Sequence, residues 1–213
     1  MTFAVSIFDL FSFGIPGALQ LSILVYVLDR VGVVHFHTVA STPTALMVAG
    51  AVVGSYLLGR LWHPLGTQLE RLVPRWRQSP DAARREFLVR VPQAQDRSYV
   101  HADPALLLAA AEMRDKDAAG DIVRMRAQSL MLRNTALALA VAVVVALVEL
   151  AVGHHRPLAG GSAVLLLLAA LSAMREGRNL WHVSRLKTLE ICFWIPGIDQ
   201  TIVNEGLLAR GSE

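Results

Sequence analysis

Apolar residues in this chain gather into four blocks, and polar or charged residues return between them. A bilayer core of about 30 Å needs roughly 17–25 helical residues to cross it. The first block covers about 14–28, lengthened by whatever part of 3–13 also inserts. The second, 43–59, has a clean start, with Thr42 as N-cap and Pro43 at the first helical position. The third covers 135–153, and the fourth, 158–174, holds Leu165-Leu166-Leu167-Leu168 at its centre. The pattern predicts an all-α fold: a polytopic membrane protein with four transmembrane helices and a helical cytoplasmic module.

Composition agrees with that reading. Of the 213 residues 54% are hydrophobic and only 17% are charged, where a soluble domain carries about a quarter charged. The N-terminus lacks a basic leader and a small-residue cleavage site, so the first block is expected to stay in the chain. Charge sets the expected orientation. Residues 60–133 carry 13 Lys/Arg and 9 Asp/Glu, and Arg175, Arg178, Arg185 and Lys187 follow the fourth block. The loops after the first and third blocks hold only Arg30 and Arg156. The positive-inside rule then puts both termini and 60–133 in the cytoplasm. The expected layout is a transmembrane hairpin over 1–59, a basic module over 60–133, a second hairpin over 134–174 and a cytoplasmic helix and tail over 175–213.

Within the module, Pro64, Pro74, Pro80, Pro92 and Pro104 predict short pieces. From Pro104 to Arg133 no proline intervenes, and small or apolar residues at Ala111, Ala118, Ile122, Met125, Ser129 and Leu132 predict one amphipathic helix running into the third span. The fourth span is expected to continue past Met174 until Pro196 stops it. Arg71, Arg75, Arg77, Arg84, Arg85 and Arg90 form the candidate anion-ligand site, because guanidinium suits bidentate phosphate contacts. Trp62, Trp76, Phe87 and Tyr99 would offer stacking surfaces. The alternative is that these arginines serve topology and lipid headgroups.

No phosphate-binding glycine loop, His-Glu-x-x-His or Gly-x-Ser-x-Gly pattern occurs, so no enzyme activity, cofactor or metal is expected. Arg178-Asn179-Leu180-Trp181-His182 is one residue short of a nuclease-like Arg-to-His spacing and reads as a snorkelling Arg beside an interfacial Trp. Glu112, Asp115, Asp117 and Asp121 read as a solvated helix face. His35, His37, His154 and His155 fall in the two outer loops, where a zinc or proton-sensing role is the sharper alternative to simple solvation.

Inside the apolar blocks, Asp9, Ser12, Pro16 and Gln20 recur at helical spacing and draw a polar line for a partner helix or a pore. Glu149 lies deep in the outer half of the third span, where an ionisable side chain is costly and suggests function. These five are the candidate pore-lining residues. Gly50-x-x-x-Gly54, Ser55-x-x-x-Gly59 and Ala138, Ala142 and Ala146 provide close-packing surfaces. Four spans enclose no wide path alone, so a pore would be shared in a homo-oligomer.

The strings FDLFSFGIPGALQL (8–21), SLMLRNTALALAV (129–141) and CFWIPGID (192–199), in this layout, resemble small membrane effectors of bacterial anti-phage defence, of the Hailong type. The resemblance implies an oligomeric ion channel that depolarises the membrane. It also implies a nucleotidyltransferase partner, whose single-stranded DNA oligomers bind the cytoplasmic module and keep the channel shut. Non-conducting anchoring of a soluble partner and proton-coupled transport through Glu149 are the alternatives.

Overall fold

The computed structural model describes residues 7–33, 43–72, 80–153 and 156–200, and for 7–11, 63–72 and 80 the backbone alone. Nearly all of these residues are helical. The helices are α1 (Ile7–Arg30), α2 (Thr44–Leu72), α3 (Pro80–Arg90), α4 (Pro104–Arg114), α5 (Lys116–Val152) and α6 (Arg156–Phe193). Two short 3-10 helices, Pro92–Ala94 and Ser98–His101, join α3 to α4. The chain divides into two compact units, one from 1–77 with 127–177 and the other from 78–126 with 178–213.

The first unit contains the apolar blocks. Helices α1, α2, α5 and α6 are long and apolar enough to cross a membrane, and less than a quarter of each most apolar stretch is buried within the protein. Val52, Leu57, Val144, Val148, Leu165 and Leu168 all stand exposed. Apolar surface on this scale calls for a non-aqueous surrounding or a partner.

Helices α1 and α2 cross with their backbones nearly touching. A Cβ on Gly17 would collide with the Ser55 carbonyl oxygen, and one on Gly59 with that of Phe13. Only glycine permits such an approach, the use expected of small residues in apolar helix pairs. Phe13 closes the crossing, edge-on to Tyr56 at 6.2 Å and beneath the Arg60 guanidinium at 5.8 Å. The proline pattern of the module predicts less helix than forms, because α2 runs through Pro64 to Leu72; α1 likewise contains Pro16. Each proline removes one i→i−4 bond, and a long helix survives that local loss when its neighbours hold it.

Helices α5 and α6 pack in the same unit through Ser129, whose hydroxyl donates to the Gly177 carbonyl at 2.7 Å. Ala136, Ala138 and Ala146 are buried along α5, while Gly50 on α2 has open space beside it.

The second unit has an aromatic-centred core. Phe87 and Tyr99 are fully buried and meet edge-on at 6.4 Å, surrounded by Ala83, Val100, Leu107, Leu186 and Cys192. The single helix expected from Pro104 to Arg133 is instead two. Asp115 sits extended between α4 and α5, and its carboxylate accepts from the Asp117 and Ala118 amides at 3.0 Å. An aspartate that caps the next helix ends the previous one without a proline, because its side chain competes for backbone donors. At the other end, α6 stops at Phe193, three residues before Pro196, and Gly197 takes φ +78° in the turn that follows.

Candidate functional site

The polar line of α1 is placed inside the first unit. Ser12 is buried and donates to the Ala127 carbonyl at 3.2 Å. Pro16 is fully buried, next to the Gly17 crossing. Gln20 is 6% exposed, and neither its amide oxygen nor its nitrogen has a hydrogen-bond partner among the described residues. The Asp9 side chain is not among those described. The periodicity therefore identified a real face, and that face packs against neighbours.

Glu149 belongs to a different place in the same unit. Its carboxylate takes the Arg30 Nε at 2.6 Å and the Tyr26 hydroxyl at 3.1 Å. About 15 Å of helix rise separates Gln20 from Arg30. The three polar groups edge a cavity of about 860 Å³, otherwise lined by small and apolar residues such as Ala142, Ala146 and Leu158. Gly153 ends α5 directly over this carboxylate: its amide donates to the Glu149 carbonyl at 2.7 Å, and a Cβ there would strike Oε2. Arg30 was legible only as a lone outer-loop charge; its spacing to Glu149 carries no sequence signal.

Of the basic run, Arg84, Arg85 and Arg90 belong to the second unit. Arg75 and Arg77 lie outside the described residues, as does the Arg71 side chain. Arg84 pairs with Asp81 at 3.6 Å, and Arg85 donates to the Asp81 carbonyl at 3.4 Å. Arg90 bridges Glu86 and Glu190. The His182 Nε2 contacts the other Glu86 oxygen at 2.6 Å, and Trp181 lies under the Arg185 guanidinium at 4.4 Å. The His182 hydrogen bond, reinforced by the Arg90 charge, holds the Glu86 carboxyl below the usual carboxylate range, against the opposing effect of desolvation. His182 and Trp181 thus make contacts within the unit. Phe87 and Tyr99, read as stacking surfaces, are core residues with no face to offer a base.

Among the described side chains of the run, Arg84 lines a cavity. This space of about 190 Å³ is lined also by His101, Asp103, Arg185 and Thr188. Arg126 donates to the Thr188 hydroxyl at 3.3 Å. Arg126 and Arg185 come from other helices, distant in sequence, and no local spacing could have grouped them with Arg84. No group of three or more potential metal ligands occurs among the described residues. The four outer-loop histidines, His35, His37, His154 and His155, lie outside them.

The chain matches no protein-family model, no curated protein and no solved structure. The class that the fold defines is therefore a helical protein with four helices able to cross a membrane and a second, compact helical unit.

Proposed function

We propose that the protein is a multi-pass bacterial plasma membrane protein, with both termini and the second unit in the cytoplasm, that assembles into an anion-gated ion channel. The observation that carries this reading is Gln20. A buried amide with both polar atoms unpaired costs about 1–3 kcal/mol, and such a group in a spanning helix is retained for a purpose more often than for packing. Ser12, Pro16 and Gln20 then form the closed state of a polar path, which is hydrated on opening. Helices α5 and α6 contribute residues to both units, so a ligand held by the second unit has a covalent route to the spans. As in the Hailong-type effectors that the chain resembles, the ligand is a single-stranded DNA oligomer from a nucleotidyltransferase partner, and opening depolarises an infected cell.

Ion flux from proteoliposomes, with and without a single-stranded oligonucleotide, tests the reading. Wild-type protein conducts in the absence of oligonucleotide, and Gln20→Met abolishes flux while raising the unfolding temperature. A wild-type protein that never conducts, or an unchanged flux in Gln20→Met, overturns it. The burial of Ser12 and Pro16 against neighbours in one chain favours a second reading, a non-conducting anchor for a soluble partner, which predicts the thermal gain and no flux in either protein.

A further inference from the structure

We propose that the second unit holds a phosphate group in the cavity between α3, the turn before α4 and α6, gripped by Arg84 and Arg185 and backed by Arg126. The inference deepens the anion-gated reading and rests on it for the consequence of binding, though the site itself stands on its geometry. The cavity is about 190 Å³, room for several waters or one tetrahedral anion.

The charges around it do not balance internally. Asp81 is engaged by Arg84 at 3.6 Å, and the Asp103 carboxylate accepts the Ala105 amide at 2.6 Å as the cap of α4. Arg126 and Arg185 are half-buried, and neither has a carboxylate within 4.0 Å among the described residues. Burial, followed by the Arg126 charge and more weakly that of Arg84, lowers the Arg185 pKa against the attraction of Asp103. The face of Arg185 rests on the Trp181 ring, which fixes the plane of the guanidinium. Arg126 and Arg185 are both partly desolvated and share the attraction of one carboxylate, Asp103, which leaves the cluster short of negative charge. An anion between them relieves the repulsion and gains charge-assisted hydrogen bonds from forked donors that match phosphate geometry. The Thr188 hydroxyl, which lines the cavity, donates to the Ser184 carbonyl at 2.8 Å and accepts from Arg126, so it locks that second fork in place. His101 lines the same space.

The same chemistry is presented by free phosphate and by the monoester headgroup of a lipid, and the experiment separates them. Intact protein in zwitterionic micelles is titrated with inorganic phosphate and, separately, with phosphatidic acid, with Trp181 emission as the readout and Trp181→Phe as the control for its origin. Saturation by inorganic phosphate assigns a soluble ligand; saturation by phosphatidic acid alone assigns a lipid headgroup. In either case Arg126→Gln and Arg185→Gln weaken binding at least tenfold, about 1.4 kcal/mol. Arg97→Gln, which removes only a pair with Asp199, leaves it unchanged. Arg126→Lys and Arg185→Lys keep the charge and secure the result if a glutamine variant fails to fold. No saturable response to either probe in folded protein, or full affinity in both glutamine variants, overturns the proposal. Flux from the same protein reconstituted in proteoliposomes keeps the two readings apart: conduction without phosphate binding removes the site and leaves the channel, and the converse removes the channel alone.

Discussion

The Gly59 hydrogen stands where any side chain would collide with the Phe13 carbonyl, so Gly59→Val forces α1 and α2 apart and costs about 3 kcal/mol. Gly14, three residues before the crossing glycine of α1, has open space where a methyl group would sit, and Gly14→Ala is expected to be neutral or mildly stabilising. Thermal unfolding of the two variants in detergent should therefore diverge sharply. In the second unit, the Tyr99 hydroxyl is buried with no hydrogen-bond partner among the described residues. Burial, followed by the Cys192 and Asp199 charges, pushes its pKa well above the ordinary tyrosine value. The folded state thus holds this proton more tightly than the unfolded chain. Its stabilising share is intact below pH about 10 and is lost progressively as pH rises beyond that. Tyr99→Phe removes both the unsatisfied hydroxyl and this ionisation. Chemical unfolding should show the variant equal to or up to about 1 kcal/mol more stable than wild type at pH 8, with a weaker fall between pH 9 and 11.

At the scale of the element, the helices were legible wherever the hydrophobic pattern is long, and less so where a single side chain intervenes. The start of α2 just after Pro43 follows from local chemistry, and so does the end of α6 before Pro196. The break at residue 115 was missed because Asp115 sits in a charged stretch, and a capping aspartate looks like any solvated carboxylate until its backbone partners are known. Asp115→Ala should cost about 1 kcal/mol through the lost cap of α5, while Asp117→Ala, at an exposed position in the first turn, should cost less. Denaturant titration of both, read by helical circular dichroism, separates capping from general loss of charge. Pro64 erred in the other direction: it predicted a break, and it lies within a continuous helix.

For the whole molecule, the distribution of arginine and lysine makes a topological prediction that can be read in intact cells. The native Cys192 is fully buried and supplies little background. Val33→Cys, at an exposed position after α1, should react with a membrane-impermeant maleimide from outside. Gln95→Cys, exposed on the second unit, should react only after permeabilisation. Reversal of that pattern would refute the cytoplasmic placement of the second unit and, with it, gating by a cytoplasmic ligand.

The number of long apolar helices and the position of their apolar stretches were determined by sequence alone, because a run of about 20 apolar residues has few other stable outcomes and its signal is local. The polar face of α1 was likewise readable from its period. Which groups meet across the fold was decided only by tertiary structure. Glu149 finds Arg30 and Tyr26 on another helix; Arg84 shares a cavity with Arg185, and Arg126 reaches it through Thr188; Phe87 and Tyr99 turn inward as core. These pairings depend on helix crossings set by glycine contacts and side-chain packing, and such long-range contacts leave no spacing in the chain from which they can be read.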